Sequence, residues 1–353
     1  MPDRPLIALA LGDPSGIGNE LAIKALADAQ TAAAADYLVI GDRRCWRMGE
    51  QQAGIAHDVG DLDGRFDRIA FLDLAHADEA TIAVGESSAA GGSVALANFS
   101  TALRLAACGA ADAVCFTPFN KHAMRLADPG YVDEIGFIQR AIGTDAEGSE
   151  FNVLDEVWNA RVTSHVPLGR VAPLITRERV LRAIALTHRT MEGAGIANPR
   201  IGVAGLNPHA GDGGNFGSEE IEIIEPAVRE ASATYAVTGP VPSDTVYVRA
   251  LGGEFDAVLT MYHDQGQIAM KLIGFDRGVT LIGGFPFWIA TPAHGTAYDI
   301  AGKGIANPGA TIRALRLAAR LSRLSSPGGF APPAERLAHA RAIASAPASA
   351  PAA

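Results

Sequence analysis

PLIALALGDPSGIGNELAIKALADAQ, residues 5–30, contains the two patterns from which the fold class of this 353-residue chain follows. Residues 5–12 form a continuous apolar run between proline and glycine, which predicts a strand buried on both faces. Residues 19–30 repeat apolar side chains at helical spacing, so a helix is expected after a short glycine-rich turn. A buried strand followed at once by an amphipathic helix is typical of a parallel sheet covered by helices.

The same alternation continues along the chain. Helical periodicity is clearest over residues 93–109 and 176–193. We therefore predict an α/β protein with mostly parallel sheets. Further apolar runs with the length and the polar boundaries of strands are residues 36–41, 67–74, 112–118, 160–165, 200–206 and 255–262.

Composition narrows the class of protein. With 48% hydrophobic and 19% charged residues the chain is expected to be soluble and globular, and its length suits two domains or one large one. A net charge of −10 argues against a nucleic-acid partner. Residues 345–353 are an Ala/Pro/Ser segment, and the chain from 327 to 353 is predicted to be a disordered low-complexity tail.

Cysteine use and the absence of long apolar runs predict the compartment. Cys45, Cys108 and Cys115 show no CxxC spacing, so we expect three small buried side chains and no disulfide or thiolate zinc site. No signal-peptide pattern opens the sequence, and no apolar run reaches the roughly 20 residues that span a bilayer. The prediction is a cytoplasmic protein without a membrane partner.

Three histidines stand where predicted strands end. His165, His209 and His263 follow the runs 160–165, 200–206 and 255–262, and ligands of open α/β sheets bind at the carboxyl ends of strands. Three imidazoles suit a divalent ion such as zinc, although histidines also favour polar loop mouths for no functional reason. Five of the other six histidines are expected to be surface or partly packed residues: His57, His76, His122, His188 and His339.

The glycine-rich turn LGDPSGIGNEL, residues 11–21, is a second candidate site. Gly12, Gly16 and Gly18 do not match the G-x-G-x-x-G fingerprint, and no lysine makes the turn a P-loop. A helix N-terminus after glycines still favours an anionic group. A tight strand-to-helix turn explains the glycines as well.

The segment AHGTAYDIAGKGIANPGATIRA, residues 293–314, resembles the segment of isocitrate and isopropylmalate dehydrogenases that surrounds the adenosine half of NAD(P). The opening turn is similar to the GDGIGPE turn of those enzymes. The resemblance implies an NAD or NADP site, whereas a capped helix with a C-terminal glycine would explain each part separately. The residues it implies are Gly12, Gly16, Gly18, His294, Gly295, Thr296 and Asn307.

Two further motifs narrow the resemblance to one family. NPHAGDGGNFGSEE (207–220) and MYHDQGQIAMKLIGFDRGV (261–279) are similar to those of the 4-hydroxythreonine-4-phosphate dehydrogenase family, over about residues 5–324. The resemblance implies an architecture like that of isocitrate dehydrogenase, with two α/β/α lobes and the active site in the cleft between them. The first lobe would comprise 1–112 and 256–326, and the second 113–255.

The resemblance also implies a metal centre and a partner. In that family the histidines that correspond to His165, His209 and His263 bind a divalent metal, with zinc favoured here, at the interface of a homodimer. One ligand comes from the other subunit. The expected reaction is NAD(P)-dependent oxidation of a secondary alcohol next to a carboxylate, often followed by loss of CO₂.

Four charged residues are candidates for handling the substrate. Lys271 matches a family lysine that binds the carboxylate or phosphate of the substrate, and Asp264 and Asp244 are candidates for orienting ligands or moving the proton. A helix cap or turn role is an equal alternative for Asp244. Lys121 is a further candidate, with a surface lysine as the alternative.

The chain departs from the family at the substrate. Val132 and Asp133 replace a His and a Thr that contact substrate, and Thr280 and Ile289 replace an Asn and an Arg. Loss of the arginine removes a bidentate, permanently charged donor. The departures favour the branch that oxidises terephthalate cis-dihydrodiol to protocatechuate, a step in aromatic degradation. The alternatives are 4-hydroxythreonine-4-phosphate dehydrogenase, another hydroxy-acid dehydrogenase of the family, and a non-catalytic metal- or nucleotide-binding relative.

Overall fold

The computed structural model describes residues 4–62, 68–77 and 82–344, and the chain forms two compact units. Unit 1 comprises Met1–Gly148 and Phe285–Ala353, and unit 2 comprises Ser149–Gly284. Each unit is an α/β structure, as the alternation of apolar strands and amphipathic helices predicts.

Unit 1 contains a parallel sheet with the strand order β3-β4-β2-β1-β5-β12. Every residue of β1 and β2 is buried, because a continuous apolar strand can be covered on both faces. The strands are β1 (Leu6–Ala10), β2 (Asp36–Gly41), β3 (Gly60–Asp61), β4 (Ile69–Asp73), β5 (Ala113–Phe116) and β12 (Trp288–Pro292). The helices are α1 (Gly18–Ala27), α2 (Ala29–Ala34), α3 (Arg43–Ala53), α4 (Ala89–Ala107), α5 (Lys121–Ala127), α6 (Glu134–Ile142), α12 (Gly309–Ser325) and α13 (Pro333–Ala344).

Unit 2 contains strands in the order β11-β6-β7-β10-β8-β9. β7, β10, β8 and β9 are parallel, and β6 is antiparallel to both of its neighbours. The strands are β6 (Ser149–Val153), β7 (Trp158–Arg161), β8 (Ile201–Ala204), β9 (Val237–Val241), β10 (Ala257–Thr260) and β11 (Val279–Gly283). The helices are α7 (Val171–Leu174), α8 (Arg177–Gly193), α9 (Glu225–Ala231), α10 (Val246–Leu251) and α11 (His263–Gly274).

The unit boundaries differ from the predicted lobes. Residues 113–148 belong to unit 1, because β5 pairs with β1 and α4 packs against α5 and α6. Residues 256–284 belong to unit 2, because β10 pairs with β7 and β8 while β11 pairs with β6. Strand pairing between distant parts of the chain, which sequence periodicity does not report, places both segments.

The end of the chain also corrects the prediction. Residues 333–344 form α13, although residues 327–353 were expected to be a disordered tail. Leu337 and Ala340 are buried, and the guanidinium of Arg336 bonds to the Asp112 carboxylate and to the Arg4 carbonyl. Burial of one helix face and a charged anchor therefore order an alanine-rich segment. Residues 345–353 lie outside the described residues.

Other expectations concern single residues and membrane spans. Cys45 and Cys115 are buried, as predicted, and Cys108 is half-buried. Among the described residues, no helix has the length and the apolar character needed to cross a membrane.

Candidate active site

The three candidate metal ligands follow three neighbouring parallel strands of unit 2. His165 comes four residues after the end of β7, His263 three residues after β10 and His209 five residues after β8, and β10 lies between the other two strands. The carboxyl ends of parallel strands meet at one edge of a sheet, where α/β proteins build their sites. The topology therefore brings all three residues to the same edge.

His165 and His263 are close together. Their ring centroids are 5.4 Å apart, and the planes of the rings are inclined by 41°. Backbone pairing continues past the strand ends: Val162 N–H donates to Thr260 O at 2.8 Å and Thr163 N–H to Met261 O at 3.1 Å. This pairing fixes the two histidine-bearing segments against each other.

The His263 ring is oriented by its neighbour in the chain. Its Nδ1 lies 2.6 Å from Oδ1 of Asp264. A histidine that holds a metal through one ring nitrogen commonly bonds a carboxylate through the other. Asp264 therefore suits the orienting role predicted for it, and Nε2 of His263 would be the ring nitrogen available to a metal.

His209 lies in a loop with an unusual backbone, residues 205–214, which we call the histidine loop. From His209 to Gly213 every residue has a φ between +44° and +82°. This left-handed region costs a non-glycine residue about 1–2 kcal/mol, and it holds His209, Ala210 and Asp212 here. Such strain persists only where surrounding contacts impose it, and it is concentrated at functional sites.

A complete metal cluster within one chain is not present among the described residues. They contain no group of three or more His, Cys, Asp or Glu side chains placed to hold a metal ion. His165 and His263 come together, whereas the ring near His209 is that of Phe216, with centroids 6.1 Å apart.

Asp244 and Lys271 also belong to unit 2. Asp244 is exposed three residues after β9, the strand next to β8, so it lies at the same sheet edge as the histidines. The N-cap of the following helix is Thr245, so Asp244 does not cap that helix; it lies in the turn of residues 243–245, which is the other alternative role given for it. Lys271 is exposed on α11, eight residues after His263, which corresponds to about 12 Å along the helix axis.

In unit 1 the glycine turn packs against backbone. A Cβ at Gly12 would lie 2.3 Å from Pro118 O, and one at Gly16 would lie 2.8 Å from Thr296 O. A Cβ at Gly18 would lie 2.7 Å from the hydroxyl oxygen of Thr117. The glycines thus permit close packing, which favours the tight-turn alternative over direct contact with a cofactor for these three residues.

The turn and the second predicted cofactor segment, residues 294–307, lie together. We call residues 294–307 the cofactor loop. Ile17 N–H donates to Thr296 O at 3.1 Å. His294 Nδ1 lies 3.2 Å from the Gly295 carbonyl, while its Nε2 is buried without a partner among the described residues. Burial lowers the pKa of His294 below its usual value.

The other members of the cofactor loop have different environments. Gly295 is exposed, with open space where a Cβ would lie, and Thr296 is buried. Asn307 is exposed, and its Oδ1 accepts from Gly309 N–H at 2.9 Å, which caps the start of α12. Within this loop, Tyr298–Ile300 form a short 3₁₀ turn.

Two interactions that the sequence analysis missed anchor this loop. The buried Glu20 accepts from Lys24 Nζ at 2.6 Å and from Ala306 N–H at 2.8 Å, and Lys24 also donates to the carbonyls of Gly304 and Ala306.

The second anchor is a buried acid. Tyr298 Oη donates to Asp13 Oδ2 at 2.6 Å. Burial raises the pKa of Asp13, while hydrogen bonds from Tyr298 and Ser15 oppose the rise. No spacing rule identifies such partners, since Glu20 and Ala306 are 286 residues apart.

The positions at which the chain departs from the expected family pattern have structural roles. Asp133 caps α6 by accepting from Gly136 N–H at 2.8 Å, and Val132 is exposed. Ile289 is fully buried in β12. In unit 2, Thr280 on β11 accepts a weak bond from Asn152 at 3.5 Å.

Lys121 is paired. Its Nζ lies 2.9 Å from Oε2 of Glu134, so the structure gives it a salt-bridge partner in unit 1. This ion pair favours the alternative role of Lys121 as a surface lysine over a role in contacting substrate.

Comparison with known proteins then places the chain in a family. Residues 26–318 match the model of the pyridoxal phosphate biosynthetic protein PdxA. The chain belongs to the PdxA family. A relative from Rhizobium meliloti named "Putative 4-hydroxythreonine-4-phosphate dehydrogenase 2" is 56% identical over 327 residues, covering 91% of this chain and 94% of the relative.

Solved structures agree with this assignment. A 4-hydroxythreonine-4-phosphate dehydrogenase from Burkholderia phymatum is 36% identical, with a TM-score of 0.75 over 90% of this chain and 98% of that one. A terephthalate 1,2-cis-dihydrodiol dehydrogenase from Burkholderia xenovorans is 30% identical, with a TM-score of 0.62 over 90% and 98%. The resemblance stated from the motifs is thus confirmed, and the chain is an enzyme of the dehydrogenase type.

Proposed function

We propose that the protein is a dehydrogenase that requires a divalent metal and NAD(P)⁺ and oxidises a secondary alcohol of a small phosphorylated hydroxy acid. The observation that carries the proposal is the 5.4 Å approach of His165 and His263 at neighbouring strand ends, with His209 after the adjacent strand. Zinc is the metal favoured by three imidazole ligands.

The residues of unit 2 fit such a metal. Imidazole nitrogens are good ligands for zinc, and the Asp264 carboxylate fixes which nitrogen of His263 faces the site. When bound, a divalent ion lowers the pKa of a coordinated alcohol and stabilises negative charge on oxygen. Asp264 and Asp244 are placed at this edge to accept the alcohol proton or to orient its acceptor.

The residues of unit 1 fit a dinucleotide. The cofactor loop has an open, exposed glycine at 295 and a buried His294 Nε2 that lacks a partner among the described residues. Because Nδ1 faces the Gly295 carbonyl, Nε2 of the neutral ring is an acceptor, and a hydrogen-bond donor of a ligand, such as a ribose hydroxyl, would satisfy it. In the reaction the alcohol carbon gives a hydride to the nicotinamide ring and the alcohol oxygen gives a proton to a base; a β-keto acid so formed can lose CO₂.

For the substrate, the relatives support the phosphorylated alternative over the dihydrodiol that the departures favoured. The relative with 56% identity and the solved structure with 36% identity are both named for 4-hydroxythreonine 4-phosphate. Lys271 is the proposed cationic contact for the anionic group of the substrate.

Terephthalate cis-dihydrodiol stays a second candidate, because specific residues favour it. Asp133 is committed to capping α6 and Ile289 is fully buried, so neither offers a donor to a phosphate. A dianionic phosphate needs several fixed donors. The solved structure named for this substrate is 30% identical.

A homodimer with the metal site at its interface is part of the proposal. Ile268 and Leu272 on α11 and Phe275 at its C-cap follow helical spacing, and their exposed fractions are 62%, 84% and 64%. A contiguous apolar stripe on a helix that begins at His263 favours burial against another chain. Sedimentation of the wild type and of Leu272→Asp tests this: the wild type should be a dimer and the variant a monomer.

The test of the activity is a comparison of substrates. Zinc-loaded protein is mixed with NAD⁺ or NADP⁺ and with 4-hydroxythreonine 4-phosphate, unphosphorylated 4-hydroxythreonine or terephthalate cis-dihydrodiol, and reduced cofactor is measured. We expect the highest kcat/KM for the phosphorylated compound. A higher value for the dihydrodiol would support the second candidate, and no reduction with any hydroxy acid would overturn the assignment as a dehydrogenase.

A further inference from the structure

The left-handed backbone of the histidine loop requires a contact that holds it. His209, Ala210 and Asp212 occupy a region of φ that their side chains disfavour, and His209 is exposed, so its own packing adds little. A histidine on such a loop can bind a metal with high affinity only if its position is fixed before binding.

Glu220 supplies contacts of this kind. Its side chain is in a π-helical turn, Glu220–Ile224, and the residue is 2% exposed. Leu206 N–H and Asn207 N–H both donate to Oε1 at 2.7 Å, and Asn207 Nδ2 donates to Oε2 at 2.9 Å. One buried carboxylate thus gathers three amide donors from the two residues at the start of the loop.

Two glycines shape the space around this carboxylate. A Cβ at Gly211 would lie 2.7 Å from Oε2 of Glu220, and a Cβ at Gly205 would lie 3.2 Å from Oε1. The loop therefore closes on the carboxylate from both sides, and the glycines allow this approach. The fit indicates that the loop conformation and the carboxylate depend on each other.

A second side chain ties the same loop to the strand end that precedes His263. Gln265 Oε1 accepts from Met261 N–H at 2.7 Å, and its Nε2 donates to Gly205 O at 2.7 Å. Glu220 therefore holds the loop internally, while Gln265 connects its first residue to the end of β10. Together these contacts link the start of the histidine loop to the end of the strand that precedes His263.

We propose that Glu220 is a positioning residue for the metal site: it holds the histidine loop so that His209 is presented to a divalent cation. The inference rests on the proposed function, since it assumes that His209 is a ligand. Glu220 acts through Leu206 and Asn207: their backbone N–H groups both donate to Oε1, and the side-chain amide of Asn207 donates to Oε2.

The test compares Glu220→Ala with Glu220→Gln and with Glu222→Ala as a matched control. Glu222 lies two residues further in the same helical turn, and its side chain is exposed. Amide hydrogen exchange is measured in the metal-free protein over residues 203–213, and the affinity for Zn²⁺ is measured by competition with a chelator. The affinity for NAD⁺ is recorded as well, because a merely structural defect would lower it too.

We expect Glu220→Ala to speed exchange of the Leu206 and Asn207 amides and to weaken Zn²⁺ binding by about 10- to 100-fold, the usual effect of losing an outer-shell contact. NAD⁺ affinity should stay within twofold. Glu220→Gln should fall between, since its carbonyl still accepts from the backbone while its amide opposes Asn207 Nδ2. Glu222→Ala should match the wild type.

Other outcomes overturn the proposal in distinguishable ways. Unchanged exchange in Glu220→Ala, or faster exchange with unchanged Zn²⁺ affinity, shows that Glu220 does not position the ligand. If Glu220→Ala fails to fold, the Gln variant decides by the same two measurements. A wild type without measurable Zn²⁺ affinity overturns the proposed function itself, and the positioning role with it.

Discussion

The cofactor loop of unit 1 and the histidine loop of unit 2 are held in opposite ways. The cofactor loop is anchored by a charge pair, Glu20 and Lys24, which contacts it across about 280 residues of sequence. The histidine loop is anchored by Glu220, only 13 or 14 residues away, through neutral amide donors and at the expense of left-handed backbone.

This difference bears on how each loop tolerates substitution. Lys24 donates to two carbonyls and pairs with the carboxylate, so the cofactor loop is fixed by several bonds from a regular helix. In the histidine loop five consecutive residues have left-handed backbone, and the two backbone N–H groups at its start both donate to the Glu220 carboxylate. The cofactor loop has one non-glycine residue with left-handed backbone, Ala297, whereas the histidine loop has three, so we infer that the conformation of the histidine loop depends more on the contacts that hold it.

Removal of the imidazole from the histidine loop should have the largest effect. We expect His209→Ala to lower kcat by about a thousandfold or more, because several kcal/mol of charge stabilisation by a metal would be lost. The side chain is exposed, so the free energy of unfolding should change little. Turnover and bound zinc are measured together.

The control for this change is His122→Ala, which removes an exposed histidine from unit 1. It should keep both activity and metal. Full zinc occupancy in a variant with His165, His209 and His263 all replaced by alanine would contradict the metal site.

The anchor of the cofactor loop should give the next largest effect. Lys24→Met leaves the buried Glu20 carboxylate without its cation, and breaking a buried pair in this way costs about 3–5 kcal/mol. Lys24 is partly exposed to solvent, so we expect the lower end of this range in urea unfolding, together with weaker NAD(P)⁺ binding.

The comparison with Lys303 sharpens this prediction. Lys303 belongs to the same loop, is exposed, and donates to the Asp299 carbonyl. Lys303→Met should therefore change stability by less than about 0.5 kcal/mol. Equal effects of the two substitutions would show that the Glu20 pair does not anchor the loop.

A strand could be predicted from the sequence where its signal is local, and was missed where its position depends on pairing with distant parts of the chain. Strand β2 was predicted with its observed limits, Asp36–Gly41, because a buried apolar run between polar residues is a local signal. Strand β6, SEFNV, was missed since three of its five residues are polar and its place depends on pairing with β7 and β11.

The candidate site shows the same limit. The position of His165, His209 and His263 at strand ends could be predicted from the apolar runs that precede them. The observed strand order brings these three strand ends to one edge of the sheet. Glu220 could not be identified, because in the sequence GSEEIEIIE it looks like the exposed Glu222 and Glu225. Which acid is buried depends on how the loop folds back over the following turn, and this is a tertiary property.

Substitutions at two glycines of the histidine loop distinguish the cost of left-handed backbone from the cost of crowding Glu220. Gly211 has a φ of +82°, and an added Cβ would lie 2.7 Å from the carboxylate, whereas Gly213 has a φ of +64° with open space around it. Gly213→Ala should cost about 1 kcal/mol for the left-handed backbone alone. Gly211→Ala should cost about 1–3 kcal/mol more for crowding.

Zinc affinity of the two glycine variants is the accompanying measurement. It should fall in Gly211→Ala and stay close to that of the wild type in Gly213→Ala. If both variants lose zinc equally, the loop is sensitive to any change in its backbone, and contact with the carboxylate is not what shapes it.

The smallest expected effect concerns pH and the cofactor loop. Burial lowers the pKa of His294 in the folded protein below the unfolded value of 6.5, so folding favours the neutral ring. Above about pH 6.5 both states are neutral, and the residue adds no pH dependence; as the pH falls below 6.5 the unfolded state binds the proton more readily, and stability decreases.

His294→Gln stays neutral and should show a flatter decline of Tm between about pH 6.5 and 5 than the wild type. The matched variant His122→Gln, whose side chain is exposed, should follow the wild-type curve. Because Asp13 is present in all three proteins, its own titration cancels in the differences. Parallel curves of Tm against pH for the wild type and His294→Gln would show that burial of this ring does not cause the loss of stability at low pH. The stability of the cofactor loop would then depend on the Glu20 and Lys24 pair and not on His294.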